Sequence, residues 1–401
     1  MAIRYATTTE SSVKFTTGEL TGALGDSITA LPLIVALGML TDASLAHMLL
    51  FFGLFQVVWG VYYGVPLSVE PMKALAGLAI AGAITHGELL AAGLLAGGIL
   101  LVAGQAGLLS RLSTVVGLPV IRGIQLAVAL LLAEAGLALG GGDLPMAFVG
   151  LAIVGVVALS GYARASALVV LAVGGILAVS QTPISVTIPS LSLFPVAPPT
   201  FSLAATEGMA GQLAMTVGNA AVATSLLLSD LFDRDVSADD LATSMGSMNL
   251  LAVPLGGLPM CHGSGGLAGK YAFGARTGGS NVILGVLYGL TALVAGVLVG
   301  FPMALLGVLL VVVAVQLGAV SFDSDHLPVT VAVGVVGLVF GVGVAFVAGV
   351  VGWWLLDRSR NGFRPPGVRA GMSWASLFER AESYDIAEQD VRDTLTKVRD
   401  E

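Results

Sequence analysis

The chain has 401 residues, 56% of them hydrophobic and only 10% charged, with 54 glycines, a net charge of −8 and a mean hydropathy of +0.95. Soluble proteins carry about 25% charged residues, so an ordinary water-soluble enzyme is excluded. Runs such as Leu89–Leu109 and Ile283–Val299 are apolar on every face, unlike the alternating strands of about 10 residues in an outer-membrane barrel, and the chain reads as an all-α polytopic membrane protein.

Met1–Thr17 is polar and mixed in charge, without the basic start and short apolar core of a signal peptide, and residues 1–17 are expected to stay as a cytoplasmic segment. Turn residues and charges then predict helices over 18–39, 44–63, 71–84, 88–108, 119–139, 146–163, 165–182, 208–229, 241–253, 264–277, 280–299, 302–319 and 328–356. As one helix the last would be about 44 Å long against a hydrocarbon core of about 30 Å. A split near Gly341–Gly343 makes fourteen. Lysine and arginine accumulate on the cytoplasmic side of short loops. With the N-terminus inside, Arg4, Lys14, Arg111, Arg164, Arg234, Arg276 and the cluster Arg358, Arg360, Arg364, Arg369 all fall there, while the outer loops 41–43, 85–87, 140–145 and 183–207 have none. Both termini are therefore expected in the cytoplasm, in the plasma (inner) membrane. The charged tail 357–401 has helical spacing of apolar residues over Trp374–Arg399. A solvated tail is the first reading of such a segment, with contact to a second protomer of a homodimer or to the bilayer surface as the alternative. Cys261 is the only cysteine, so no intrachain disulfide is available.

At an offset of 193 residues, Leu24-Gly25-Asp26-Ser27 falls on Val217-Gly218-Asn219-Ala220, Gly53 on Gly246, and Gly64-Val65-Pro66-Leu67 on Gly257-Leu258-Pro259-Met260. These matches predict two repeats, 18–182 and 208–356, joined by an extracytoplasmic linker over 183–207. Seven spans each is an odd number, so the second repeat must be inverted, the plan of many secondary transporters.

That plan places the site at matching interruptions of the apolar runs. Here they are Val65-Pro66-Leu67-Ser68-Val69-Glu70-Pro71-Met72-Lys73 and Leu258-Pro259-Met260-Cys261-His262-Gly263-Ser264-Gly265-Gly266. Each has a proline that cannot continue a helix and then a restart, with Pro71 suited to a first helical turn and Ser264 to an N-cap. Two half-helices starting at mid-depth would aim free N–H groups and positive dipole ends at one place, an anion site. The candidate substrate residues are Ser68, Val69, Glu70, Met72 and Lys73, then Cys261, His262, Gly263, Ser264 and Gly265, with Asn219 and Gln56 from neighbouring helices. Lys73 is read as a site residue because intramembrane charge is functional by default; the alternative is a structural pair with Glu70, one turn back. Asp26 is either a proton or cation carrier or a cap on backbone groups. Its repeat mate Asn219 cannot titrate, so a coupling carboxylate would be Asp26 or Glu70. His262 would donate to an anion or carry a proton, or else rest on backbone carbonyls. Glu19 is read as interfacial, Lys270 and Arg276 as cytoplasmic anchors, and Thr216 as a cavity liner beside Gln56.

At these motifs the chain resembles the molybdate transporter family, a branch related to the sulfate permeases. The likeness lies in Gly22-Ala23-Leu24-Gly25-Asp26, in the first break from Gly64 to Lys73, and above all in Pro259-Met260-Cys261-His262-Gly263-Ser264-Gly265-Gly266-Leu267-Ala268-Gly269-Lys270-Tyr271-Ala272-Phe273-Gly274-Ala275-Arg276. It implies a fourteen-helix fold of two intertwined inverted repeats, with core and gate domains and an oxyanion held between half-helices 3 and 10. Sulfate permeases usually end in a large soluble domain, and only about 45 residues follow Trp354, too few for one. The molybdate branch is therefore favoured.

The function expected is secondary active import of a tetrahedral oxyanion, molybdate first and sulfate or tungstate next, by alternating access driven by protons. No Walker sequence for ATP is present, and no cofactor, metal or nucleic acid is called for. A nucleobase carrier of the same fold and a passive anion channel are the competing readings. An intramembrane hydrolase using Ser264 and His262 is discounted, because neither a Gly-x-Ser-x-Gly nor an HExxH pattern supports it.

Overall fold

The computed structural model describes residues 13–109 and 116–361. Arg4, Arg111, Arg364, Arg369 and the segment Trp374–Arg399 lie outside them. Contacts group the chain up to Leu356 as one unit and 357–401 as another.

Helix α1 (Thr17–Leu40) starts where the Thr16 side chain accepts the Glu19 N–H, and contains Pro32. Proline removes one helical bond and its ring crowds the carbonyl four residues back, and the helix bends by 46° between Thr17–Ile28 and Ala30–Leu40. Helix α2 (Leu45–Tyr63) ends on Gly64, whose φ of 68° is left-handed backbone that glycine adopts without strain. After the first break come the short helix α3 (Lys73–Ile80) and then α4 (His86–Gln105), opened by a Thr85/Glu88 capping box. Next are α5 (Leu118–Gly141), α6 (Leu144–Val157), which widens into a turn over Ala158–Tyr162, and α7 (Ser166–Gln181). The second half has α8 (Leu203–Met215), a wide-turn stretch Thr216–Ala223, α9 (Thr224–Phe232) and α10 (Ala238–Ala252). The second break leads to α11 (Ser264–Ala272), followed by α12 (Gly279–Leu293) and α13 (Met303–Ser321). Helices α14 (Leu327–Phe340) and α15 (Val342–Asn361) are parted at Gly341, φ 97°, inside the expected break.

Among the described residues, α2, α4, α5, α13, Leu144–Tyr162 and Leu203–Phe232 are long and apolar enough to cross a membrane, and bent α1 makes a seventh. Three expectations need correction. The segments 71–84 and 264–277 are only Lys73–Ile80 and Ser264–Ala272: the first starts two residues late, because Pro71 is held in a strand, the second starts where expected, and both stop early on tight turns. The segment 280–299 stops at Leu293 and continues as a tighter 3₁₀ stretch, Ala295–Gly300. The linker 183–207 is too long by five residues, because Ser202 caps a helix starting at Leu203.

Helices from the two halves meet through glycine. A Cβ on Gly53 (α2) would stand 2.7 Å from the Gly285 carbonyl oxygen (α12), and one on Gly285 would stand 2.5 Å from the Gly53 carbonyl oxygen. Gly136 (α5) and Gly307 (α13) repeat the arrangement with the same two distances. Such close backbone approach is how membrane helices pack where no hydrophobic force draws them together. Outward-facing side chains are large and apolar, among them Phe148, Leu159, Ile176 and Val339, all more than 60% exposed. In water that surface would be costly; against hydrocarbon it is at no disadvantage.

Candidate functional site

The two breaks run towards each other and pair. Glu70–Pro71 (β1) and Met260–Cys261 (β2) form a two-stranded antiparallel ladder with Glu70 opposite Cys261 and Pro71 opposite Met260. The Met72 N–H donates to the Pro259 carbonyl at 2.9 Å. Pro71 thus lies in the ladder rather than in the first turn of α3, where it was expected. Asn249 of α10 clamps β2, its side-chain amide donating to the Met260 carbonyl and accepting the Met260 N–H, each at 2.7 Å. His262 is wholly buried, with Nδ1 at 3.0 Å from the Ser68 carbonyl and Nε2 at 2.8 Å from the Ser244 hydroxyl. Both ring nitrogens are therefore used as a strut between the breaks.

Each half-helix begins under an oxygen supplied by a distant part of the chain. At α3, Gln212 Oε1 accepts the N–H groups of Ala74 (2.9 Å) and Leu75 (3.4 Å). At α11, the N-cap is Gly263, one residue before the expected Ser264, and it has no capping side chain of its own. The Glu70 carboxylate fills the space there: a Cβ on Gly263 or on Gly266 would collide with it. Lys73 Nζ is 2.6 Å from Glu70 Oε2, so the i,i+3 pair forms, and the Lys73 side chain keeps 19% of its surface exposed.

Behind this pair lies a second one. Lys270 is fully buried, with Nζ 3.2 Å from Asp26 Oδ2 and 2.8 Å from both Gln56 Oε1 and Asn281 Oδ1, and it donates to the Leu67 carbonyl at 3.5 Å. It is not a surface anchor. Long helical side chains point back towards the helix N-terminus, which carries this ammonium deeper than its backbone. Gln56 donates to Asp26 at 2.6 Å, and the Ser68 hydroxyl bonds to Asp26 and, at 3.3 Å, to Glu70. Two carboxylates and two ammonium groups thus make a buried, charge-balanced cluster, which burial requires. Glu19 is 2% exposed rather than interfacial, and accepts the N–H groups of Arg276, Thr277 and Ser280 at 2.9–3.0 Å, capping the approach to α12.

A cavity of about 650 Å³ opens on the far side of Glu70 and Lys73. Of the expected substrate residues, Glu70, Lys73, Asn219, Cys261, Gly263, Ser264 and Gly265 line it, and a Cβ on Gly265 would meet only open space. Ser68, Val69, Met72, Gln56 and His262 do not; they are buried behind the ladder, as is Asp26. Thr216 is likewise buried, accepting from Gln212 at 2.9 Å. Sequence reasoning missed the liners Arg122, Gln125, Gln212 and Gln316. Arg122 and Gln125 are joined at 3.0 Å, three residues apart on α5, and polar residues at that spacing in an apolar helix were the available signal. Arg122 also meets exposed Asp323, donating to its carbonyl at 3.0 Å, with the carboxylate 3.7 Å away.

A family model described as "Molybdate transporter of MFS superfamily" matches residues 18–132 and 204–317, more than half of the chain. The chain belongs to the molybdate transporter family. Molybdate transporter 1 of Arabidopsis thaliana is 30% identical over 321 residues, covering 67% of this chain and 70% of that protein. Molybdate transporter 2 of the same plant is 29% identical over 323 residues with the same coverage. Among solved structures, the transmembrane domain of the cyanobacterial bicarbonate transporter BicA aligns with a TM-score of 0.61 at 20% identity, covering 83% of this chain and 97% of that one. The murine anion transporter Slc26a9, in its inward-facing state, aligns with a TM-score of 0.64 at 14% identity, covering 88% and 70%. These two show the fold alone, mostly helical; the family model and the curated relatives are of molybdate transporters, transport proteins rather than enzymes.

Proposed function

We propose that the protein is a secondary active transporter importing a tetrahedral oxyanion, molybdate before tungstate or sulfate. The observation that carries this is the meeting of two half-helix amino ends at one buried place, with the Lys73 ammonium, the Ser264 hydroxyl and the open face of Gly265 turned to a cavity. Backbone N–H groups and a cation suit an anion's oxygens. The relatives' names favour molybdate.

The architecture proposed with it is fourteen spans in two inverted repeats, divided into core and gate. Support comes from the two family-model matches, of nearly equal length and one in each half. Gly53 and Gly246, which coincide at the repeat offset, also do the same work: each sits against the backbone of a helix from the other half, at Gly285 and at Leu101. With both termini in the cytoplasm of a plasma-membrane protein, the Arg122 side of the cavity faces inward, and alternating access moves one bundle against the other around the site. Protons are the proposed coupling ion, with Glu70 and Asp26 as the carboxylates concerned.

The test is molybdate uptake into proteoliposomes with and without an inward proton gradient, in the presence of excess unlabelled sulfate. Gradient-driven accumulation that sulfate does not block is expected. Uptake that never exceeds equilibrium would make the protein a channel, and abolition by modest sulfate would move the substrate to sulfate.

A further inference from the structure

Glu70 is the one acidic residue in the two breaks, and its carboxylate stands over the first turn of α11. Gly263 is the N-cap of that helix and Gly266 its third residue. An aspartate at an N-cap would put its own carboxylate in this place, to take the N–H groups two and three residues on. Glu70 delivers the same charge from the other half of the chain, and Gly263 and Gly266 leave room for it. The same carboxylate holds Lys73 Nζ at 2.6 Å. Two attractive features of the anion site, the amino end of α11 and the ammonium, are thus engaged by a single built-in anion, while the amino end of α3 is met by Gln212.

We propose that Glu70 is a tethered anion occupying the site in the absence of cargo, and that an oxyanion binds only as Glu70 takes up one proton. This rests on the oxyanion reading and supplies its coupling. The proton comes from water and forms a neutral carboxylic acid at Glu70; no other bond is made or broken. Lys73 stays an ammonium and changes partner from Glu70 to the oxyanion, while the end of α11 loses one anion and gains another. A dianion then enters with a net charge change of −1 instead of −2.

The groups facing Glu70 single it out as the acceptor. From α1 comes Asp26, which does not line the cavity and keeps Lys270 and Gln56 on Oδ2. Lys73 of α3 and Lys270 of α11 are the two cations; Cys261 of β2 and Tyr288 of α12 feel its charge. His262 is committed to Ser68 and Ser244, and Asn219 and Gln212 do not titrate. Among the described residues Glu70 is the only carboxylate that lines the cavity, and the Ser68 hydroxyl links it to Asp26.

The experiment is calorimetric titration of the purified full-length protein with molybdate, tungstate and sulfate in buffers of different ionisation heat, at pH values where the free anion takes up no proton. For wild type the expected result is close to one proton taken up per anion, with affinity falling about tenfold per pH unit on the alkaline side, as one-proton linkage requires. Glu70→Gln, which keeps the shape and loses the charge, is expected to bind with an affinity flat in pH and no proton uptake, and to exchange labelled anion without gradient-driven accumulation. Binding by wild type without proton uptake, or a Glu70→Gln protein whose binding still takes up a proton, overturns the inference and leaves the oxyanion reading standing. Failure of all three anions to bind wild type overturns both. Should Glu70→Gln not fold, the wild-type proton count alone decides.

Discussion

Replacing Lys270 by methionine keeps an unbranched side chain out to the ε atom and removes an ammonium that has four oxygen partners, two of them at 2.8 Å and the Asp26 carboxylate at 3.2 Å, in a place without solvent. Gln56 and Ser68 still donate to Asp26, but the charge itself is left without its counter-charge. Breaking one side of a buried ion pair costs about 3–5 kcal/mol, a factor of roughly 10² to 10³ or more in the folding equilibrium. The double variant Asp26→Asn with Lys270→Met removes both charges and leaves two amide oxygens short of a donor, at about 1–3 kcal/mol each at most. It should therefore be more stable than Lys270→Met alone, the sign opposite to additivity. Denaturant unfolding of the four proteins of the cycle in one detergent measures this. A Lys270→Met protein within about 1 kcal/mol of wild type, or a double variant whose loss equals the sum of the singles, would refute the reading of these residues as a charge-balanced pair.

Four further outcomes are expected. Lys73→Ala should abolish saturable molybdate uptake while the protein still elutes as a single folded species; wild-type affinity in that protein would remove Lys73 from the site. Gly266→Ala should lose both uptake and stability, because its methyl collides with Glu70, Asp26 and Ser68, whereas Gly265→Ala, facing open space, should unfold like wild type and change only the KM of uptake. Glu19→Ala leaves three backbone N–H groups unmet and should cost at least about 1–3 kcal/mol, with Glu19→Gln losing less; an unfolding midpoint unchanged in Glu19→Ala would contradict its capping role. Arg122→Gln should slow anion entry several-fold at low ionic strength and progressively less as salt is added, because steering by a charge lining the cavity and paired with the exposed Asp323 is screened; a defect independent of salt would argue for direct cargo contact instead.

The breaks were legible because proline and glycine interrupt otherwise continuous apolar runs, and Glu70, Lys73, Ser264 and Gly265 follow from them directly. The helix ends flanking the breaks were less so. Pro71 has the φ for a first helical turn, yet its carbonyl side serves the ladder with Met260, and only the partner strand decides between the two. Lys270 lies six residues before Arg276, and a rule that assigns positive charge to the cytoplasmic edge cannot see that α11 is a nine-residue half-helix whose lysine reaches back to α1. Glu19, Gln212 and His262 share this fate: each is a polar residue whose partner is supplied by another part of the chain, so spacing along one helix carries no trace of it. Asp26 and Gln56 stand out in the sequence as polar residues in apolar helices, but residue type alone does not distinguish the cavity wall from the layer behind it.

The interleaving of the halves has a consequence for biogenesis. Gln56 and Asp26 are inserted early, and Lys270, their shared cationic partner, is separated from Gln56 by 214 residues of chain. At ribosomal speeds of about 5–20 residues per second, that gap is on the order of 10–40 s. Through this interval the nascent first half sits in the bilayer with a carboxylate awaiting its ammonium, and with a glutamate prepared to cap a helix that has not been translated. A chain released after the linker would retain that defect permanently, and should be a ready target for membrane quality-control proteases.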